Sequence, residues 1–245
     1  MFIHYRTQGL ILKKTDRGEA SQLLTVYTKN YGKLKILGKA IRKIKSKLRS
    51  GADLFYLSDI EFIQGKTHKT LTDAILIDKF SQLRKELGKL SVANKISESL
   101  DNLARNEERD EKIWSLFLET FEILNGHRSS IKNFQLIYYH FFWKISTILG
   151  YKPELYSCSI CQKKLIPNLL FFNYQEGGII CSRCFQKAKE GEKVSPEIIK
   201  ILRFIITKDW PAISRLKISD ENLGLLKDIS DFYLTSITKP AIPDF

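Results

Sequence analysis

The chain has 245 residues, enough for one or two domains, and its 43% hydrophobic content excludes a chain that is disordered by composition. The 40 Lys and Arg residues outnumber the 27 Asp and Glu residues, which gives a net charge of +13. This excess favours a polyanionic partner, either a nucleic acid or an acidic membrane surface. Four cysteines in a chain of this length exclude a secreted scaffold held together by disulfides.

The sequence predicts a soluble, cytoplasmic protein that does not bind membranes. The N-terminus reaches Arg6 before any apolar segment can form, so no secretory signal is visible. The most apolar stretch, residues 134–149, is interrupted by Gln135, His140 and Lys144 and is too short to span a bilayer.

The first 79 residues predict a small β-barrel. Six short segments rich in β-branched and aromatic residues are separated by turn-forming residues. These segments are residues 9–12, 23–27, 33–37, 53–57, 60–63 and 71–75. Five or six short strands in so short a region fit a closed barrel better than a sandwich.

After Lys79 the hydrophobic period changes to that of a helix. Five helices are predicted. The first covers residues 81–105, and the second runs from a cap at Asp110 to Asn125-Gly126. The third covers 131–149 and is opened by Ser129-Ser130, the fourth runs from Ser195-Pro196 to about 207, and the fifth covers 220–238. We therefore predict an α+β protein with a barrel domain over 1–79 and a helical domain over 80–245. A cysteine-bearing module is inserted at about 155–190.

All four cysteines lie in two Cys-x-x-Cys turns, Cys158-Ser-Ile-Cys161 and Cys181-Ser-Arg-Cys184, with 19 residues between them. Zn²⁺ prefers four soft ligands in a tetrahedron, and each turn presents two thiolates to one point. Residues 169–180 predict a hairpin that returns the chain to the second turn. The spacing is typical of a zinc ribbon with one structural Zn²⁺, because four protein ligands leave no position for a catalytic water.

Two other interpretations of the cysteines are weaker. A redox dithiol needs only one Cys-x-x-Cys pair, and two disulfides would be reduced in the cytoplasm.

The basic run covers residues 33–49 and holds eight cations with no acidic residue. Its members are Lys33, Lys35, Lys39, Arg42, Lys43, Lys45, Lys47 and Arg49. Residues 1–79 hold 16 Lys and Arg against seven Asp and Glu, so most of the excess charge lies in the barrel. Lysines often only solvate a surface, but a run this long without a compensating acid favours nucleic-acid binding.

Aromatic residues are interleaved with the predicted strands, and they have two interpretations. They are Tyr5, Tyr27, Tyr31, Phe55, Tyr56 and Phe62. A cationic groove with rings for base stacking is how small barrels bind single strands. For any one of these residues, a place in the barrel core is the more common outcome.

No catalytic constellation is visible in the sequence. The four histidines lie in unrelated contexts, and no Gly-rich phosphate loop, nucleophile elbow or His-Glu-x-x-His pattern occurs. We therefore predict a protein that is not an enzyme, and a nuclease is disfavoured.

Several stretches together resemble the RecO family of bacterial DNA-repair proteins. They are Gly9-Leu-Ile-Leu12 with Glu19, Thr28 and Gly32, then Gly38-Lys-Ala40, Arg42-Lys43 and Ser46-Lys-Leu48, and finally residues 149–155 running into the first cysteine pair. The resemblance covers most of the chain and implies an N-terminal OB-fold, a helical C-terminal domain and a zinc module. It also implies a nucleoid-associated protein in the bacterial cytoplasm.

The resemblance further implies binding of single- and double-stranded DNA, annealing of complementary strands, and help in loading RecA together with RecR. Contact with the C-terminal tail of single-stranded DNA-binding protein is another implied property. For that tail the third helix offers Phe134, Ile137, Phe141 and Ile145, although interhelix core is the simpler explanation of these residues.

A second function class stays open from the residues alone. Barrels and zinc ribbons are also common in RNA-binding and ribosome-associated factors, and the sequence does not show a preference for or against the 2′-hydroxyl.

Overall fold

The computed structural model describes residues 3–126, 131–167 and 169–238, and the side chains of 131–133 are not part of that description. The chain forms two compact units, Met1–Phe134 and Gln135–Phe245. The domain boundary expected between residues 79 and 80 stays a prediction.

The first unit contains the barrel. Its strands are β1 (His4–Arg17), β2 (Ser21–Thr28), β3 (Gly32–Gly38), β4 (Leu57–Gln64) and β5 (Lys69–Asp78). They close in the order β1-β2-β3-β5-β4, with β1 paired to both β2 and β4. Only the contact of β3 with β5 is parallel. This is the strand order of an OB-fold, so the predicted N-terminal barrel and the α+β class are confirmed.

The barrel interior is filled by side chains that alternate inward along the strands. The buried set comprises Ile11, Leu24, Val26, Leu34, Ile36, Ile41, Ala52, Ile60, Phe62, Leu71 and Ala74. The tight turn from β2 to β3 depends on Gly32, whose φ is +60°. A Cβ at this position would lie 2.1 Å from the backbone oxygen of Glu108, so only glycine fits.

One predicted strand is wrong. Residues 53–56 form a turn, in which the N–H of Tyr56 donates to the carbonyl of Asp53 at 3.0 Å. Phe55 adopts a left-handed φ of 59° and its N–H donates to Ile11 of β1. The aromatic and apolar content of 53–57 therefore reflects burial of a turn, since Phe55 is only 1% exposed.

The first unit also contains the helices α1 (Leu87–Leu103) and α2 (Glu111–Gly126). The first begins later than the predicted residue 81, because Glu86 is extended and Leu83–Lys85 form a separate 3₁₀ turn. The cap predicted at Asp110 is confirmed by its carboxylate, which accepts from the backbone of Lys112 and Ile113.

Aromatic rings join the outside of the barrel to α2. Tyr27 stacks on Trp114 with ring centroids 6.4 Å apart, and Phe55 lies 5.6 Å from Phe121. These contacts bury Tyr27 and Phe55 almost completely. Burial of rings of this size is a large part of what holds the helices to the barrel.

The second unit is built on α3 (Ile131–Ile148) from Gln135 onwards, α5 (Pro196–Thr207), the short α6 (Trp210–Ile213) and α7 (Asp220–Thr238). These bounds confirm the third, fourth and fifth predicted helices, and Ser195 caps α5 by accepting from the N–H of Ile198. The cap predicted at Ser129-Ser130 lies outside the described residues. Trp143 ties α3 to α7, because its ring stacks on Tyr233 and its N–H donates to Ser230.

The inserted module contains a three-stranded sheet and one helix. The sheet has β6 (Leu170–Asn173) in the centre, between β7 (Gly178–Cys181) and β8 (Glu192–Val194), and α4 (Ser182–Ala188) follows β7. The hairpin of β6 and β7 was predicted, whereas β8 and α4 were not. None of the helices in the described part of the chain combines the length and apolarity that a membrane crossing requires.

Candidate functional site

The four cysteines are placed by short local turns. Cys158 and Cys161 lie in a turn before β6, closed by the N–H of Gln162 donating to the carbonyl of Cys158 at 2.8 Å. Cys181 ends β7 and Cys184 lies in the first turns of α4. Each pair is therefore fixed within four residues of chain, and the β6–β7 hairpin brings the two pairs together.

The Sγ atoms of all four cysteines lie within 4.8 Å of one another, and those of Cys161 and Cys181 are 4.0 Å apart. A tetrahedron with Zn–S bonds of about 2.3 Å has sulfur atoms roughly 3.8 Å apart. The distances fit four ligands of one metal ion, and no disulfide is formed among these cysteines. The predicted clustering of Cys158, Cys161, Cys181 and Cys184 as a group able to bind a metal ion is confirmed.

The cluster is closed on one side and open on the other. Cys158 and Cys184 are buried, at 0% and 7% exposure, while Cys161 is exposed. Burial raises the pKa of the Cys158 thiol, but backbone N–H groups, including that of Cys181 at 3.4 Å, outweigh it and lower the pKa to about 6. A thiolate at this position is stabilised by the fold itself, as a metal ligand requires.

Close packing holds the turn of the first cysteine pair against the hairpin. The chain before Cys158 meets Gly178, where a Cβ would lie 2.4 Å from the backbone oxygen of Glu154. On the other side, the rings of Phe171 and Phe185 stack with centroids 3.7 Å apart. A metal in the cluster would therefore join elements that already pack on each other.

Three cations beside the cluster were missed by the sequence analysis. Lys163, Arg183 and Lys187 line an open cavity of about 550 Å³ next to Cys161 and Cys181. Their position could have been anticipated, since each lies within three residues of a cysteine. They give this open side of the cluster a positive charge.

The basic run lies on β3 and on the long connection from β3 to β4. Seven of its eight cations are exposed. The exposed members are Lys35, Lys39, Arg42, Lys43, Lys45, Lys47 and Arg49. Arg42 forms an ion pair of 3.1 Å with Asp16, so its guanidinium is only partly available to a phosphate.

Lys33 differs from the rest of the run. It is 8% exposed, and its ammonium lies 3.2 Å from the carboxylate of Asp101 and also donates to the backbone carbonyl of that residue. The exposed cationic surface is therefore formed by the seven other cations of the run.

Three of the six barrel aromatics are core residues, and the other three are half-buried. Tyr27, Phe55 and Phe62 are at most 2% exposed. Tyr5 and Tyr31 are half-buried around Phe62, with Tyr5 stacked on it at 5.3 Å. The half-buried Tyr56 lies under the guanidinium of Arg84, 4.7 Å from the ring centroid. These residues stabilise the barrel.

The apolar residues of α3 are also core. Ile137, Phe141 and Ile145 are at most 1% exposed, and Phe134 is 3% exposed. They do not form an open pocket for a peptide tail.

Comparison with known proteins identifies the family. Residues 1–80 match the family model "Recombination protein O N terminal", and residues 84–238 match "Recombination protein O C terminal". The chain belongs to the RecO family. The DNA repair protein RecO of Dehalococcoides mccartyi is 32% identical over 223 residues, which cover 91% of this chain and 86% of that protein.

More distant RecO relatives match over similar lengths. The DNA repair protein RecO of Halalkalibacterium halodurans is 25% identical, with 94% of this chain and 88% of that protein covered. That of Caldanaerobacter subterraneus is 24% identical, with 96% and 91% covered. Both RecO regions and the four-cysteine cluster are therefore present in one chain, as the resemblance implied.

Proposed function

We propose that this protein is a non-enzymatic recombination mediator in DNA repair, which binds single- and double-stranded DNA and anneals complementary strands. The observation that carries this proposal is the exposed cationic surface on an OB-fold. Seven cations lie within residues 35–49, and no acidic residue occurs among them. The relatives are DNA repair proteins by name, which agrees with this role.

Annealing follows from electrostatics. Each strand that meets the exposed cationic surface releases condensed counterions, which favours binding and lowers the repulsion between two strands. Flexible lysines bind phosphates as point charges without reading bases, so strands of any sequence are accepted. Pairing of the strands themselves then supplies the sequence specificity.

The metal is proposed to be one structural Zn²⁺ held by Cys158, Cys161, Cys181 and Cys184. Four thiolates around a divalent ion leave a net charge of about −2, which the adjacent Lys163, Arg183 and Lys187 offset. With four protein ligands the ion has no open position for substrate, so its contribution is to the stability of the module.

The proposed partners beyond DNA follow from family membership. They are RecR, the C-terminal tail of single-stranded DNA-binding protein, and the RecA loading pathway, in the cytoplasm of a bacterium. The burial of the apolar residues on α3 does not favour that helix as the site for the tail.

The test is charge reversal within the exposed cationic surface. Replacement of Arg42, Lys43, Lys45 and Lys47 by Glu should weaken single-strand binding and slow annealing of complementary oligonucleotides, with stability nearly unchanged.

A matched control reverses the same number of charges elsewhere. Lys200, Lys208, Arg215 and Lys217 are exposed, and their replacement by Glu changes the net charge equally. Equal loss of binding in both variants would contradict the proposed surface. Tighter binding of RNA than of DNA with the same sequence would favour an RNA-binding factor instead.

A further inference from the structure

A polar cleft lies within the first unit, between the barrel and α1. It encloses about 360 Å³ and is walled by β1, the turn at Leu54 and one face of α1. This volume is at the lower end of the range for small-molecule sites, about 300–1,000 Å³. The cleft therefore accepts a ligand of the size of one nucleotide, and it is separate in sequence from the basic run.

One helix face supplies the polar wall. Asn94, Ser97, Glu98, Asp101 and Asn102 recur at intervals of three and four residues and line the cleft together. A helix face of this composition, turned towards a barrel, differs from the usual apolar packing stripe.

Ser97 is the buried polar group of this wall. It is 4% exposed, and its hydroxyl has no hydrogen-bond partner among the described residues. Buried hydroxyls in proteins nearly always have a partner. The hydroxyl of Ser97 is therefore available to a ligand that carries a hydrogen-bonding group into the cleft.

The two carboxylates of the wall are in different states. Asp101 is engaged by the ammonium of Lys33 at 3.2 Å. Glu98 is exposed and forms no ion pair that the structure records within the described part of the chain. An ionised carboxylate is an acceptor with two oxygens and no donor. Glu98 is thus able to accept from a ligand edge that carries two adjacent N–H donors.

The opposite wall is apolar with a cation beside it. Leu12 is the extra residue of a β-bulge, because Ile11 pairs with Val26 while Lys13 pairs with Thr25. The bulge places Leu12 in the cleft with Leu54, which gives an apolar surface for the face of a base.

The two lysines of this wall differ. Lys14 is held by Asp53 at 2.6 Å, whereas Lys13 is exposed. Only Lys13 is therefore available to a phosphate at the edge of the cleft.

We propose that this cleft binds one unstacked guanine nucleotide. Where that nucleotide belongs to a DNA strand, the proposal rests on the proposed DNA-binding function. Of the four DNA bases, guanine alone presents two adjacent donors, N1–H and the 2-amino group, on its Watson–Crick edge. Glu98 accepts from both, Ser97 donates to the neighbouring carbonyl, and Lys13 meets the phosphate. A strand held by the exposed cationic surface would thereby gain a preference for guanine at one position.

The experiment compares an oligothymidylate with the same strand carrying one central dG. Fluorescence anisotropy should show binding of the guanine strand on the order of tenfold tighter, as expected for a two-point contact to a base edge. Glu98→Gln should abolish this preference, because the amide replaces one acceptor by a donor. Ser97→Ala should reduce it without loss of stability, since the hydroxyl has no partner.

The matched control is Glu122→Gln, an exposed position on α2 that makes the same change of charge. It should alter oligothymidylate affinity as much as Glu98→Gln does, while the guanine preference stays intact. A guanine preference that survives in both Glu98→Gln and Ser97→Ala would overturn the proposed site.

Titration with dGMP separates a free nucleotide from a base within a strand. Binding of dGMP that is lost in Glu98→Gln supports the cleft as a nucleotide site, even if no strand binds. Equal affinity for both strands together with no binding of dGMP would overturn the site. In that case the charge-reversal test on the exposed cationic surface would still show whether the protein binds DNA as proposed.

Discussion

The ammonium of Lys33 lies 3.2 Å from the carboxylate of Asp101, and this pair joins β3 to the last turn of α1. Around it the chain after α1 returns to the barrel, where the N–H of Glu107 donates to the carbonyl of Lys33 at 3.0 Å. The most buried cation of the basic run is therefore a structural element of the first unit.

Replacement of Lys33 by Met is expected to lower the free energy of unfolding by about 2 kcal/mol, since the partly buried Asp101 loses its charged partner. The affinity for single-stranded DNA and its dependence on salt should stay unchanged. Urea unfolding measures the free energy of unfolding, and binding titrations at several salt concentrations measure the affinity and its salt dependence. Lys35→Met, at an exposed position on the same strand, is the control and should show the reverse pattern.

The salt dependence of single-strand binding reports the number of phosphate contacts. If about five of the seven cations on the exposed cationic surface meet phosphates, the log–log slope of affinity against salt should be near −3.5, at roughly 0.7 per contact. Each single replacement of Lys43, Lys45 or Lys47 by Gln should make the slope about 0.7 less steep. A slope near zero would contradict an electrostatic interface.

The purified protein is expected to carry about one equivalent of zinc per chain, as read by atomic emission. Cys181→Ser should lower metal content and destabilise the second unit by several kcal/mol, because the energy of metal binding is part of the energy of folding. Ser182→Ala, at the neighbouring position, should retain the metal. Full stability of metal-free wild-type protein would contradict a structural role.

The stability of the second unit should fall as the pH is lowered from about 6.5 to 4 because of His140. Burial, followed by the nearby charge of Lys144, lowers the pKa of His140 to about 4, against opposing effects of Ile205 and Asp209. On lowering the pH, His140 of the unfolded chain binds a proton near pH 6.5, whereas His140 of the folded chain does so only near pH 4. Between these two pH values protonation therefore stabilises the unfolded state. The loss reaches about 3 kcal/mol near pH 4 and levels off below that pH.

His140→Gln should flatten this part of the pH profile. The measurement is urea unfolding at several pH values for wild type and variant, because the difference between the two curves removes the contribution of other acids. Parallel curves would show that His140 does not titrate between pH 4 and 6.5 on unfolding.

Local patterns in the sequence determined the main elements. Asp110 and Ser195 were recognised as helix caps, since a cap depends on residues two or three positions away. The cysteine cluster was predictable for a similar reason: each pair sits in one short turn, and a single hairpin brings the pairs together. The period of the hydrophobic residues distinguished the barrel from the helices.

Contacts between distant segments decided what local pattern could not. Residues 53–56 have the composition of a strand, but they form a turn because Phe55 packs against Phe121 of α2. Ser97 and Glu98 came to line a cleft only when α1 packed beside β1.

The same is true of the cations on β3. Lys33 and Lys35 lie two positions apart on one face of the strand, and the sequence makes them equivalent. The structure buries Lys33 against Asp101, 68 positions away, and leaves Lys35 exposed. Sequence alone therefore determined that β3 is a strand with an outward cationic face. The packing of α1 decided which cation is available to DNA, because burial depends on the segment that covers a residue and not on its neighbours in the chain.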